Sequence, residues 1–185
     1  MKDINDFTPF SSVSDKITGE YNLFLTKDRV LDFQVKAPGY ITYEEIINLK
    51  GKEEGSQIEK MIRLKPIEVG QVVTLQNLFF EQGKANILDQ SMPSLDRLLE
   101  LMMENPSLEI ELAGHTDRLG SRTSNLRLSF ERVERIKSYL TQYGIDKKRI
   151  QTIGHGGRFP VAPSDNEDNR AKNRRVEIKI LAISS

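Results

Sequence analysis

The sequence predicts a mixed α+β fold, a sandwich of two helices on one mixed sheet, preceded by a small all-β segment. Three patterns predict it: strict apolar alternation at Leu31–Val35, two helical segments after Pro66, and alternating strands between and after those helices. A chain of 185 residues has room for about one domain with a small partner. We place the boundary at Pro66, between an all-β segment (1–66) and an α+β domain (67–185).

The first segment is predicted to contain only short strands. Its apolar stretches are Tyr21–Leu25, Leu31–Val35, Tyr40–Leu49 and Met61–Leu64. Three or four short strands are few for an independent sandwich, so we expect that the first strands of this segment are missing or shared.

After Pro66 the predicted order is β-α-β-α-β-loop-β. The elements are a strand at Val72–Phe80, a helix that begins near Ser91 and ends at Asn105, a strand around Leu108–Leu112, a helix from about Thr123 to Tyr143, a strand at Arg149–Ile153 and a strand at Val176–Ala182. The apolar helix stripes are Leu95, Leu98, Leu99, Met102 and Met103, then Leu126, Phe130, Val133, Ile136 or Lys137, and Leu140. Gly144 followed by Ile145 is typical of a helix end.

Composition excludes several classes of function. Lys and Arg balance Asp and Glu at 27 each, so no global charge favours nucleic acid or an anionic membrane, and a charged ligand must be recognised locally. With no cysteine, the chain has no disulfide, thiolate or cysteine-ligated metal. No apolar run approaches the roughly 18 residues of a membrane span, and the first residues lack the apolar region of a signal peptide. We expect either a protein that stays inside the cell or a fragment of a larger exported protein.

A polar cluster between Gly114 and Arg132 could carry chemistry. Asp117 follows a predicted strand, and Asn125, Leu128 or Ser129, and Arg132 share one face of the next helix. An acid and an arginine across one groove suit a zwitterionic ligand, whose ammonium meets the carboxylate and whose carboxylate meets the guanidinium. The alternative is an Asp117–Arg132 salt bridge, or two unrelated solvated charges.

Six motifs occur in order along the second region. They are Gly114-His115-Thr116-Asp117, Asn125-x-x-Leu128-Ser129-x-x-Arg132, Gly144-Ile145, Gly154-x-Gly156, Pro160-Val161-Ala162 and Arg170-Ala171-x-Asn173-Arg174-Arg175-Val176-Glu177. From about Ile67 to Ile180 the chain therefore resembles the OmpA-like C-terminal domain family, which binds peptidoglycan non-covalently through the diaminopimelate of the stem peptide.

This resemblance implies roles for six residues. Asp117 matches the aspartate that meets the ammonium of diaminopimelate, Arg132 the arginine that meets its carboxylate, Thr116 and Asn125 the neighbours that line the pocket, Leu128 a residue under the aliphatic stem, and Arg174 the first arginine of the closing motif. Asn173, Arg174 and Arg175 have an alternative role as an internal polar network that ties the last loop to the sheet.

The chain departs from the family pattern at three positions. Glu81 stands where an aspartate is frequent and is expected to shift one wall of the pocket. Val133 replaces an alanine after Arg132, which changes packing, and His155 replaces a tyrosine between two glycines. None of these removes the Asp117 and Arg132 pair.

The first segment has a second resemblance. Gly19–Leu25 and Val35–Ile41 resemble the later strands of a carboxypeptidase-regulatory-like β-sandwich. This implies a truncated module, without enzymatic activity, in a longer protein associated with the outer membrane. The chain would then lie at the periplasmic face of that membrane, in the cell envelope.

The motifs and the resemblance favour a wall-anchoring module over an enzyme. The sequence has no Gly-x-Ser-x-Gly elbow, phosphate loop, His-Glu-x-x-His helix or evident carboxylate pair, and its two histidines, His115 and His155, lack a third metal ligand. We expect peptidoglycan as the partner, with no nucleic acid, metal or cofactor. The alternative is a structural or protein-interaction domain whose ligand pocket is unused.

Overall fold

The computed structural model describes residues 11–25, 28–53, 55–75 and 77–183. Their strands and α-helices are β1 (Val30–Val35), β2 (Tyr40–Ile41), β3 (Tyr43–Asn48), β4 (Lys65–Pro66), β5 (Val72–Thr74), α1 (Met92–Glu104), β6 (Glu109–His115), α2 (Arg122–Gln142), β7 (Ile150–Gly156), α3 (Glu167–Asn173) and β8 (Val176–Ala182). The first residues of the chain, considered above for a signal peptide, lie outside the described residues.

The chain forms two compact units. The smaller comprises Met1–Val35 and Tyr43–Arg63, and the larger comprises Lys36–Thr42 and Leu64–Ser185. The short strands β2 and β4 pair with each other inside the larger unit. The domain boundary at Pro66 stays a prediction.

The smaller unit contains one antiparallel strand pair. Strands β1 and β3 pair from Val30 opposite Asn48 to Val35 opposite Tyr43, which confirms two of the predicted strands. The ring of Tyr21 stacks on Phe33, with ring centroids 6.2 Å apart.

Two strand predictions in the first segment were wrong. The stretches at 21–25 and 61–64 have no regular structure. A strand needs a neighbour for its backbone N–H and C=O groups, and the described part of the smaller unit pairs β1 only with β3. Phe24, for example, is fully exposed.

The larger unit is built on a four-stranded mixed sheet in the order β5-β8-β6-β7. Strand β8 is antiparallel to both β5 and β6, whereas β6 and β7 are parallel. Parallel neighbours need a long crossover, which α2 supplies. The α+β class and the mixed sheet are therefore confirmed.

Both long helices share one core with the sheet. Its buried members include Leu95, Leu98, Met102, Leu108, Ile110, Leu112, Val133, Ile136, Leu140, Ile145, Ile150, Val176 and Ile180. Met103 was wrongly placed in this core, since it lies beside the stripe and is half exposed. None of the described helices is long and apolar enough to span a membrane.

Helix α2 lies unusually close to the sheet because glycines face it. A Cβ atom at Gly114 would lie 2.3 Å from the carbonyl oxygen of Ser129, and one at Gly154 would lie 2.6 Å from the nitrogen of Phe130. Ser129 therefore occupies the face towards the sheet and is buried, while Phe130 is 46% exposed. The prediction that Phe130 lies in the core was wrong. The spacing of apolar residues along α2 does not reveal that Gly114 and Gly154 face this helix.

The predicted end of α2 is confirmed, whereas the residue predicted to cap the start of α1 has another role. Gly144 has a φ of +97°, and the N–H of Ile145 donates to the carbonyl of Leu140 at 3.1 Å, which confirms the predicted end of α2. Ser91 precedes α1, but its hydroxyl does not cap the helix. It accepts from the N–H of Phe79 at 2.8 Å and donates to the Phe79 carbonyl at 3.0 Å.

Two elements near the site differ from prediction. Strand β5 covers only Val72–Thr74 of the strand expected at 72–80. Gln76 lies outside the described residues, and Phe80 forms an isolated bridge with Ile87.

The loop expected before β8 contains α3, capped by the Asn166 side chain, which accepts from the N–H of Asn169 at 2.9 Å. That capping residue and the acidic first turn were the available signal for α3.

Candidate functional site

Asp117 lies just beyond the end of β6, which continues to His115, past the strand predicted around Leu108–Leu112. Its side chain is 13% exposed, and both carboxylate oxygens have partners. Oδ1 accepts from the N–H of Leu119 at 3.0 Å, and Oδ2 accepts from Nη1 of Arg174 at 2.9 Å. Asp117 is thus fixed in place by its own loop and by an ion pair.

Thr116 and Asn125 hold the backbone of this loop. The Thr116 hydroxyl donates to the carbonyl oxygen of Asp117 at 2.9 Å. The Asn125 amide, from the first turn of α2, donates to the carbonyls of Asp117 at 3.3 Å and Leu119 at 2.9 Å. Both residues therefore position Asp117 relative to α2.

Arg132 lies two turns along α2 and is only 7% exposed. Its Nε donates to the carbonyl oxygen of Lys84 at 3.1 Å, and its guanidinium carbon is 4.7 Å from the centroid of the Phe80 ring. Within residues 11–25, 28–53, 55–75 and 77–183, Arg132 forms no ion pair. It is a buried cation held by a carbonyl and an aromatic face.

Asp117, Arg132 and Arg174 influence one another electrostatically. Burial lowers the pKa of Arg132, the nearby charge of Arg174 lowers it further, and Asp117 raises it. Burial also opposes the charge of Arg174, but its hydrogen bonds to Asp117 and Glu167 raise the pKa of Arg174 above its usual value. The structure therefore places these three charges in one neighbourhood, with Asp117 paired to Arg174 and not to Arg132.

The three residues of the closing motif, Asn173, Arg174 and Arg175, have different contacts. Asn173 is fully buried, and its side-chain oxygen accepts from the N–H groups of Val161 and Ala162 at 2.8 and 3.0 Å. Arg175 pairs with Glu177 at 2.6 Å. These two residues form an internal polar network, whereas Arg174 points its guanidinium to Asp117.

His115 lies buried directly before Thr116. Both of its ring nitrogens lack a hydrogen-bond partner among the described residues, and Nε2 is 3.5 Å from the Glu177 carboxylate. Burial, with the nearby charge of Arg175, lowers the pKa of His115 to about 4. The histidine is therefore neutral at pH 7, with the ring of His155 5.1 Å away.

Several contacts of the site could not be found from motif spacing. Phe80 and the Lys84 carbonyl reach Arg132 from a loop some 50 positions away. Glu167 of α3 binds Arg174. Glu81, expected to shift one pocket wall, pairs with Lys84 at 2.6 Å. Leu128 is half-buried on α2, between Asn125 and Arg132 in sequence.

The sequence model of the OmpA family matches residues 79–174, just over half of the chain. The chain belongs to the OmpA family. The matched range includes Asp117, Arg132, Thr116, Asn125, Leu128 and Arg174, and the structure supports the same domain, since the larger unit has the fold of its relatives.

Among curated relatives, outer membrane porin F of Pseudomonas fluorescens is 36% identical over 115 residues, which cover 62% of this chain and 35% of the porin. The chain spans 16% to 35% of the length of this and two further curated relatives.

Two solved structures share the fold. The cell wall anchor of the T6SS from Pseudomonas aeruginosa has 26% identity and a TM-score of 0.51, covering 60% of this chain and 79% of that one. The peptidoglycan-associated lipoprotein from Burkholderia pseudomallei has 25% identity and a TM-score of 0.53, covering 56% and 87%. Such family members are non-enzymatic structural anchors of the cell envelope.

Proposed function

We propose that this chain binds peptidoglycan and anchors a cell-envelope protein to the cell wall through the diaminopimelate of the stem peptide. The observation that carries the proposal is Arg132, which is 7% exposed and has no ion pair within the part of the chain that the structure describes. A buried charge without a counter-ion is costly, so such a residue is usually kept for a partner that arrives from outside.

A carboxylate is the partner that fits Arg132 best. The planar guanidinium presents parallel N–H donors that match the two oxygens of a carboxylate. Nε is already committed to the Lys84 carbonyl, and the Nη groups have no acceptor among the described residues. The Phe80 ring stacks against the guanidinium and restricts its orientation, which lowers the entropy lost when a ligand binds.

Asp117 is suited to the ammonium group on the same carbon of diaminopimelate. An ionised carboxylate accepts about four hydrogen bonds, and Asp117 uses one on Leu119 and one on Arg174. The remaining capacity is available to an ammonium. Thr116 and Asn125 hold the loop in place, Arg174 orients the carboxylate, and half-buried Leu128 offers apolar surface to the aliphatic stem.

The relatives support the wider assignment. One solved relative is a cell wall anchor and another is a peptidoglycan-associated lipoprotein, and a curated relative is an outer membrane porin. We propose that this chain acts in the same compartment, at the periplasmic face of the outer membrane, as part of a larger envelope protein.

One observation favours a second candidate function, a structural or protein-interaction domain with an unused pocket. Asp117 already has a cationic partner in Arg174, so its charge is balanced without a ligand. This reading leaves the burial of Arg132 without a reason, which is why we place it second.

Co-sedimentation with purified peptidoglycan sacculi tests the proposal. We expect the wild-type chain to sediment with sacculi and Asp117→Ala and Arg132→Ala each to lose most of that binding. Arg127→Ala is the matched control, because Arg127 lies on the same helix, is exposed and pairs with a surface acid, Glu131, at 3.6 Å. If both site variants sediment as well as wild type, the assignment is wrong and the second function is favoured.

A further inference from the structure

A groove lined by three arginines lies beside the Asp117 loop. Its volume is about 420 Å³, and it is lined by Arg118, Gly120, Arg122, Asn125, Gly157 and Arg158. We call it the arginine groove. Asn125 belongs both to this groove and to the contacts that hold Asp117, so the two sites are contiguous.

The cations of the arginine groove have no counter-ions among the residues that the structure describes. Arg118, Arg122 and Arg158 are exposed, and none of them forms an ion pair with another described residue. Two other arginines differ: exposed Arg127 pairs with Glu131, and partly buried Arg170 pairs with Glu167. Three cations around one concave surface, none of them paired with an acidic side chain among the described residues, raise the local concentration of anions.

The backbone places the three residues that carry these side chains around the groove. A Cβ atom at Gly157 would lie 2.7 Å from the Asp117 carbonyl oxygen and 3.2 Å from the Cα of Arg118, so the segments carrying Arg118 and Arg158 touch. Arg122 begins α2, whose amino-terminal end carries the positive pole of the helix. The fold therefore brings the three arginine residues to one place on the surface.

We propose that the arginine groove binds a second carboxylate of the stem peptide, the free α-carboxylate of the γ-linked glutamate attached to diaminopimelate. The inference rests on the proposed function, because a peptide held at Asp117 and Arg132 must pass close to Asn125. The side chain of diaminopimelate and the γ-glutamyl link form one flexible chain between the two carboxylates, and Asn125 lines the groove while it also holds the Asp117 loop, so the second carboxylate has a route into the groove. A free phosphate shares this chemistry, but the contiguity through Asn125 favours a group on the same peptide.

A calorimetric titration with two diaminopimelate stem tripeptides tests the proposal. One carries glutamate with a free α-carboxylate, and the other carries the amide at that carbon, which removes the charge and keeps the shape. We expect wild type to bind the acid about three- to tenfold more tightly than the amide. Arg122→Gln and Arg158→Gln should each reduce this preference, and the double variant should abolish it while still binding both peptides.

Arg127→Gln is the control for loss of a positive charge on α2 outside the groove, and it should keep the full preference. Equal binding of the acid and the amide by wild type would overturn the arginine groove proposal and leave the diaminopimelate site standing. A loss of preference in Arg127→Gln as large as in Arg122→Gln would also overturn it. Binding of inorganic phosphate that is lost in the Arg122→Gln and Arg158→Gln double variant, with no preference of wild type for acid over amide, would assign the groove to phosphate instead. Binding of neither peptide would refute the proposed function itself.

Discussion

The two sides of the candidate site treat their charges differently. On the loop side, the Asp117 carboxylate is paired with Arg174 and bonded to the N–H of Leu119. On the helix side, Arg132 is more deeply buried but meets only a carbonyl and the Phe80 ring. One side is electrostatically complete in the free chain, and the other lacks a counter-ion among the described residues.

This difference separates stability from binding. Removing one partner of a buried pair strands the other charge, so changes at Asp117 should weaken the fold as well as the ligand contact. Removing a buried cation that has no carboxylate partner strands no charge and leaves only the Lys84 carbonyl without its donor. Changes at Arg132 should therefore affect binding far more than folding.

The largest expected effect is the loss of binding in Arg132→Gln. We expect stem-peptide affinity to fall by about 2–5 kcal/mol, which is at least about thirtyfold, because the ligand carboxylate loses its charged partner in a desolvated site. The free energy of unfolding in urea should stay within about 1 kcal/mol of wild type. Calorimetry and urea titration of the same sample measure both quantities; a variant that unfolds easily and binds normally would reverse the comparison.

Asp117→Asn should combine two smaller losses. The amide oxygen can still accept from Leu119, but the charge that Arg174 and the ligand ammonium need is gone. We expect affinity to fall by about 2–3 kcal/mol and the free energy of unfolding by about 1–2 kcal/mol. If this variant is as stable as wild type, the Asp117–Arg174 pair contributes nothing to the fold and the two sides do not differ as argued.

Acidification should weaken the loop side through His115. Because the folded chain holds the pKa of His115 near 4, below its ordinary value of 6.5, the unfolded chain takes up the proton first as the pH falls. Stability is therefore complete at pH 7 and is lost between about pH 6.5 and pH 4. We expect a loss of about 2 kcal/mol at pH 4.5 relative to His115→Leu.

The pKa of His115 can be measured directly by following its imidazole signal in an NMR titration, with His155 as the internal comparison. A midpoint near 4 agrees with a buried neutral ring. A midpoint near 6.5 for His115 would remove the link between acid stability and the end of β6.

The smallest effect is expected for Arg174→Gln. Arg174 is partly exposed and touches Asp117, so its loss should cost about 1 kcal/mol of unfolding free energy and weaken binding less than Arg132→Gln does. A binding loss as large as that of Arg132→Gln, measured with the same peptide, would show that Arg174 meets the ligand itself.

The sequence predicted those parts of the fold whose pattern is local. Helix α1 and strands β6 and β8 follow from a regular apolar period and from the residues that end them. Helix α2 was predicted in extent, but its buried face was shifted, because Gly114 and Gly154 allow Ser129 to face the sheet. That contact joins residues from β6, β7 and α2, so the apolar spacing of α2 alone cannot predict it.

The site shows the same division. Asp117, Asn125 and Arg132 were chosen because a strand end and a helix face lie close together in sequence. The partner of Asp117 could not be chosen that way, since Arg174 lies 57 residues further on and reaches Asp117 only through the turn before β8. The contacts of Phe80 and Lys84 with Arg132 likewise depend on a loop that sequence spacing does not place.

The most direct test of the account is a calorimetric titration of the wild-type chain with two stem peptides that differ only at the third residue. One carries diaminopimelate and the other lysine, which keeps the ammonium for Asp117 but lacks the carboxylate for Arg132. We expect saturable binding of the diaminopimelate peptide and at least about thirtyfold weaker binding of the lysine peptide. Equal affinity for the two peptides would contradict the claim that Arg132 awaits a ligand carboxylate.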